Sequence, residues 1–404
     1  MTGLETSVRS SSGPDKFADD ESNCWLSVPS DPDPAPPLRV PCPVTEERRA
    51  ELDSLLRAMP LSRLISNGME FADAHNLQSM ARAGIDWIEA GVWLGERNIR
   101  LARKALTAGH RISARLYFRF ASACFRFAQN AIPSDTETKK GLYQKMIGLF
   151  ADAGALDNVP TEHWTVPYEQ GHLCGWVMRP AGKQAPPVVI VLGGFDGWRE
   201  EHYCSAAALV DRGIAVLLVD APGQGETRLF HQLYLAPDAH RAISRMIDAL
   251  SEDHRLGNCF GIWGNSFGGF LAAQAAIADE RLSACCVNGG TVRPLEFPER
   301  YPRFFNKVEA MVGTSNRGEA VSIMEKLDIS GSLAALRCPL LQLHSESDQV
   351  FCLENARRLY DLAQSRDKTL LIWADGDHCI YNHPHERNSI VSDWFCEKLG
   401  ATAQ

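Results

Sequence analysis

Between residues 46 and 156 the apolar positions recur every three or four residues, as in Leu101, Ala105 and Leu106 and then Leu116, Phe120, Cys124 and Ala128. That is the spacing of side chains along one face of an α-helix. Gly109 interrupts the pattern, which predicts two helices folded as an α-hairpin. Ahead of this region, residues 1–43 are rich in Ser, Asp and Pro, with a run over 29–37 that breaks helix and strand alike. Such a composition buries too little to order itself, so a flexible arm is expected, packed at most locally through Trp25 and Leu26.

After about residue 158 the period changes. Residues 161–178 read as a β-hairpin, and 188–192 and 215–220 as continuous apolar strands with a helix between them. Further strands are predicted at 258–263, 282–288, 340–344 and 369–373, with helices starting near Ala239, Ser266, Glu354 and His385. Alternating strands and helices predict an α/β fold, a mostly parallel sheet covered on both faces. Residues 293–336 form a helical insertion after the sixth strand, including 306–311 and 318–327, placed to act as a lid. The expected organisation is an arm (1–43), a helical accessory domain (44–158) and an α/β catalytic domain (159–404).

Length agrees with this division, because 404 residues exceed what a single core usually serves. A formal net charge of −9 offers no attraction to nucleic acid or an anionic membrane. No apolar run approaches a membrane span, and the N-terminus lacks a signal-peptide pattern, so a cytoplasmic protein is expected. The twelve cysteines are scattered and form no Cys-x-x-Cys pair, which predicts buried free thiols.

The most specific signal is Gly264-Asn265-Ser266-Phe267-Gly268, a Gly-x-Ser-x-Gly motif between an apolar strand and an Ala-rich helix. A serine on so sharp a turn is held in a strained backbone, and its neighbours two positions away must be small, as Gly264 and Gly268 are. Its hydroxyl needs a base to take the proton and an acid to orient that base. Asp348 and His378 follow the strands at 340–344 and 369–373, where α/β sheets assemble their sites. Asp348 is preferred to Glu346 because it leaves a longer turn after the strand, and His344, inside the strand, is expected to be structural. Ser266, Asp348 and His378 are therefore the candidate nucleophile, acid and base.

An oxyanion needs two backbone donors. The amide of Phe267 follows the nucleophile, and Phe195 in Gly193-Gly194-Phe195-Asp196-Gly197 is the candidate for the second. The turn from Asp220 to Glu226 lacks the Lys of a phosphate loop and leads into no immediate helix, so it is read as a structural turn near the site. His378, His383 and His385 with Asp375 and Asp377 match no metal-ligand spacing, and no metal or other cofactor is expected. The aromatic stripe Tyr117, Phe118, Phe120, Phe125 and Phe127 is read as helix packing.

Over residues 161–399 these motifs resemble the α/β-hydrolase superfamily. The chain is similar to a branch with an N-terminal helical domain that includes 2,6-dihydroxypseudooxynicotine hydrolase, FrsA-like esterases and fungal polyketide-shortening hydrolases. The matching residues are Leu192-Gly193-Gly194, Arg199-Glu200-Glu201, Asp220-Ala221-Pro222-Gly223-Gln224-Gly225, Gly264-Asn265-Ser266-Phe267-Gly268-Gly269 and Asp375-Gly376-Asp377-His378. Ser345 and Phe351 depart from the glycine and proline common in the acid loop. The resemblance implies cleavage of an ester, or of a carbon–carbon bond beside a ketone, in a small aromatic or polyketide-like substrate. It also implies substrate contact by Glu296 and a homodimer. The alternative is an acyltransferase that passes the acyl group to an acceptor other than water.

Overall fold

The computed structural model describes residues 44–195, 197–301 and 304–401. The predicted arm over 1–43 lies outside the described residues.

Six helices come first: α1 (Glu46–Ala58), α2 (Leu61–Ser66), α3 (Phe71–Arg82), α4 (Trp87–Thr107), α5 (Arg111–Asn130) and α6 (Glu137–Gly154). Several starts are written locally. Asp86 accepts the amide of Glu89 at the head of α4, and Thr136 that of Lys139 at the head of α6. These caps satisfy amides that have no acceptor inside the helix. Gly109 stands in the left-handed region (φ 78°) between α4 and α5, as the predicted hairpin requires. Of the aromatic stripe, Phe118, Phe125 and Phe127 are buried in the helical cores, so packing accounts for it.

The strands are β1 (Thr161–Tyr168), β2 (Gly171–Met178), β3 (Val188–Leu192), β4 (Ala215–Asp220), β5 (Phe260–Asn265), β6 (Leu282–Asn288), β7 (Leu340–Ser345) and β8 (Lys368–Trp373). They form one sheet in the order β1-β2-β4-β3-β5-β6-β7-β8. β1, β2 and β4 pair antiparallel, and β3 to β8 pair parallel. Side-chain alternation divides the interior in two. Val188, Ile190 and Leu192 face a core built with α9 (His240–Ser251) and α10 (Phe267–Ala278). Val189 and Val191 face a second core with α7 (Tyr203–Val210) and α15 (Pro384–Lys398). A strand buried on both faces reads as a continuous apolar run, which is why β3 and β4 were legible.

Two expectations need correction. The strand predicted over 258–263 runs instead over Phe260–Asn265, because Gly264 and Asn265 continue the ladder against Val287 and Asn288 of β6 without any apolar signature. The turn after β4 does lead straight into a helix, the short α8 (Gly225–Leu229). The buried Asp220 carboxylate accepts the Glu226 amide at 3.0 Å and so caps it. The insertion holds α11 (Glu296–Arg300), α12 (Phe305–Val312) and α13 (Arg317–Glu325), and α14 (Leu353–Leu362) follows β7. Among the described residues all ten cysteines are free; five are buried, four are partly buried, and Cys204 is exposed, against the expectation that all are buried. No helix among the described residues is long and apolar enough to cross a membrane.

The sheet order reverses at β3, which lies between β4 and β5. Loops that leave the carboxyl ends of strands on either side of such a reversal part and leave a crevice. Here those loops carry Phe195 after β3 and Ser266 after β5.

Candidate active site

Ser266 sits between β5 and α10 with φ 57° and ψ −124°, a conformation that side chains rarely adopt. The turn is closed by its neighbours. The Ser266 amide donates to Asn288 O at 2.8 Å, and the Gly269 amide donates to Ser266 O at 2.8 Å. A Cβ on Gly264 would fall inside the Gly268 carbonyl. Gly264→Ala is therefore expected to cost about 3 kcal/mol or more and to lower Tm by several degrees. Thermal unfolding of purified variant and wild type checks this.

Asp348 and His378 arrive from the loops after β7 and β8. His378 Nδ1 lies 2.8 Å from Asp348 Oδ2 and 3.0 Å from Oδ1, and His378 Nε2 lies 2.8 Å from Ser266 Oγ. Asp348 also accepts the amides of Val350 and Phe351 at 2.7 and 3.2 Å. Burial alone would raise the Asp348 carboxyl, but His378 outweighs it and holds the group below the ordinary carboxylate value. Burial disfavours a charged His378, yet the Asp348 carboxylate outweighs this and raises the imidazole above its ordinary value of 6.5. Glu346, the competing acid, points into solvent. His344 is fully buried beneath the acid loop, with Nε2 3.1 Å from Phe351 O, and burial keeps it neutral by lowering its pKa.

The two departures in the acid loop have physical counterparts. Ser345 Oγ donates to Gly376 O and accepts the Ser347 amide at 3.1 Å, tying the acid loop to the histidine loop. Phe351 is fully buried, and its ring meets His378 edge-on at 6.1 Å between centroids.

The loop after β3 leans over the serine. A Cβ on Gly194 would stand 2.8 Å from Ser266 Cβ and 3.1 Å from its Oγ, so a side chain is excluded there. The rings of Phe195 and Phe267 stack at 4.3 Å. Phe267 opens α10, and an amide in a first helical turn has no partner inside the helix. From α11 and its flank, Phe297 and Phe304 close an aromatic wall, with Phe304 edge-on to Phe195 at 5.4 Å and Phe297 4.6 Å from Phe304. Glu296 is buried, and its carboxylate accepts from Thr291 Oγ1 at 2.6 Å, Asn355 Nδ2 at 2.8 Å and Cys352 Sγ at 3.0 Å. It is thus brought beside the acid loop, held by protein donors.

Several residues that shape the site escaped the sequence. Asn288, at the end of β6, donates from Nδ2 to Asn265 Oδ1 at 2.8 Å and to Cys379 O at 3.1 Å, joining the serine turn to the histidine loop. Cys379 itself has φ 58°, and Arg387 Nη1 donates to the same carbonyl at 2.9 Å. Gln224 donates to the carbonyls of Gly193 and Gly194 at 2.7 and 3.0 Å, which braces the loop over the serine. The helical region takes part as well: Ser62 Oγ of α2 donates to Asp377 Oδ2 at 2.6 Å, next to His378. The one available signal was a polar residue ending a buried strand, as Asn288 does.

Three comparisons bear on this geometry. A family model described as an alpha/beta hydrolase family matches residues 188–389. The 2,6-dihydropseudooxynicotine hydrolase of Paenarthrobacter nicotinovorans is 28% identical over 346 residues, 84% of this chain and 91% of that protein. The 20-hydroxy-prefusarin hydrolase FUS2 of Gibberella moniliformis is 28% identical over 238 residues, 54% of this chain and 55% of its own length. Among solved structures, 2,6-dihydroxy-pseudo-oxynicotine hydrolase superposes with a TM-score of 0.75 at 24% identity, covering 85% of this chain and 98% of that one, a likeness of fold.

Proposed function

The chain belongs to the alpha/beta hydrolase family, and from that premise we propose that it cleaves an ester or a ketone carbon–carbon bond of a small aromatic or polyketide-like substrate through an acyl-enzyme on Ser266. The observation that carries this reading is the series Asp348, His378, Ser266, each step within 2.8 Å. In the proposed mechanism His378 Nε2 takes the Ser266 proton as Oγ attacks the carbonyl. The amides of Phe267 and Phe195 hold the developing oxyanion. His378 then protonates the departing alcohol or carbanion, and water deprotonated by the same imidazole releases the acid.

Expulsion of carbon is the harder case, because the substrate must itself delocalise the charge through a hydroxylated ring or a second carbonyl. The wall of Phe195, Phe297, Phe304 and Phe351 supports a flat, conjugated group of that kind. The named relatives are hydrolases, so in this reading the acyl acceptor is water. Product analysis with matched aryl esters and aryl β-diketones tests the reaction class. Turnover of neither would overturn it.

Because Asp348 raises the His378 pKa, the free base is lost as pH falls through a value above the ordinary 6.5. The acidic limb of kcat/KM is accordingly expected to lie above pH 6.5, in a pH–rate profile on an aryl ester.

A further inference from the structure

Away from Ser266, three segments bring metal-ligand chemistry to one face of the β1–β2 hairpin. His163 on β1 pairs with Trp176 on β2, and residues two apart on a strand share a face, so His172, Cys174 and Trp176 lie on the same side as His163. The segment of α8 and His231 packs against the start of β2: the Cys174 amide donates to Thr227 Oγ1 at 3.0 Å, and a Cβ on Gly171 would stand 2.7 Å from His231 O. One ligand atom from each of Cys174, Glu226 and His231 lies within 4.8 Å of the others. His163 Nε2 is 3.0 Å from Glu226 Oε2, and the His172 and His231 rings are 5.1 Å apart.

We propose that Cys174, Glu226 and His231, with water as the fourth ligand, form a Zn²⁺ site that clamps β2 to the turn after β4. Thiolate, carboxylate and imidazole are the donors of tetrahedral zinc, whose ligand atoms stand about 3.4–3.8 Å apart. Side-chain rotations of about 1 Å close the observed spacing to that value. Surrounding charge favours a cation. The buried carboxylates of Glu200 and Asp220 and the partly buried Glu226 crowd around Arg199, which bonds Glu200 at 2.8 Å, stands 3.5 Å from Asp220 and bonds Glu226 directly. His163 and His172 are exposed and leave the ion a path from solvent, while Cys174 is buried. On binding, the Cys174 thiol gives its proton to solvent and the sulfur becomes a metal ligand. The site carries no sequence signature, since its donors come from β2 and the segment 226–231. It lies beyond β4 and β3 from the serine strand, so its role is structural, steadying the turn whose Gln224 braces the Gly193–Gly194 loop.

The test is a Co²⁺ titration of the chelator-stripped full chain in a Cys204→Ser background, which removes the exposed thiol, followed by competition with Zn²⁺. One Co²⁺ per chain is expected, with a thiolate-to-cobalt charge-transfer band that Zn²⁺ abolishes. Cys174→Ser should lack the band. His231→Gln, at a partly exposed position that leaves the buried core intact, should bind Zn²⁺ about 100-fold more weakly. A background protein without the band, a band that persists in Cys174→Ser, or unchanged Zn²⁺ affinity in His231→Gln would each overturn the proposal.

Discussion

Ser266→Ala is expected to lower kcat for hydrolysis by about 10⁶-fold, to the residual rate that substrate binding and oxyanion donors sustain without a nucleophile. The loss should appear in kcat more than in KM, because Oγ bonds to substrate only along the reaction path. Removing one hydroxyl leaves the backbone bonds of Ser266 to Asn288 and Gly269 in place, so the turn should keep its shape. Circular dichroism and thermal unfolding of the variant should match wild type. Steady-state kinetics on an aryl ester measure the effect, and a variant retaining a tenth of wild-type activity would exclude Ser266 from the chemistry.

Asp348→Asn should cost about 10⁴-fold in kcat. In the proposed mechanism the carboxylate does two things at once: it fixes the Nδ1–H tautomer, leaving Nε2 free to accept the serine proton, and it stabilises the imidazolium. An asparagine can present its amide N–H to Nδ1 and turn the ring to the wrong tautomer. It also removes the charge that raises the His378 pKa, so the acidic limb of the residual activity should move down in pH relative to wild type. A variant that is merely misfolded would lose activity without moving that limb. Equal limbs in the two proteins would mean that Asp348 does not set the base.

Much of this was legible because the central strands are buried on both faces and so read as apolar runs, Val188–Leu192 and Ala215–Asp220 above all. The serine turn was legible because its steric demand admits almost no residue but glycine at position 264. Asp348 and His378 were proposed from their places after β7 and β8, not from any local composition. Residues that act through long-range hydrogen bonds left no trace beyond the polar end of β6 at Asn288. Asn288 reaches Cys379, Gln224 reaches Gly193, and Ser62 reaches Asp377 across gaps of 91, 31 and 315 positions, and only the topology closes them. The same holds for the grouping of Cys174, Glu226 and His231. Short α8 was missed because its single turn is held by Asp220 rather than by apolar periodicity.

That Ser266 is the nucleophile is tested most directly by intact-mass spectrometry of wild type and Ser266→Ala after treatment with a fluorophosphonate. The geometry predicts one phosphonyl adduct on wild type and none on the variant, because only an oxygen 2.8 Å from a base held by a carboxylate is activated for attack. Equal labelling of both proteins, or none on an active wild type, would contradict it.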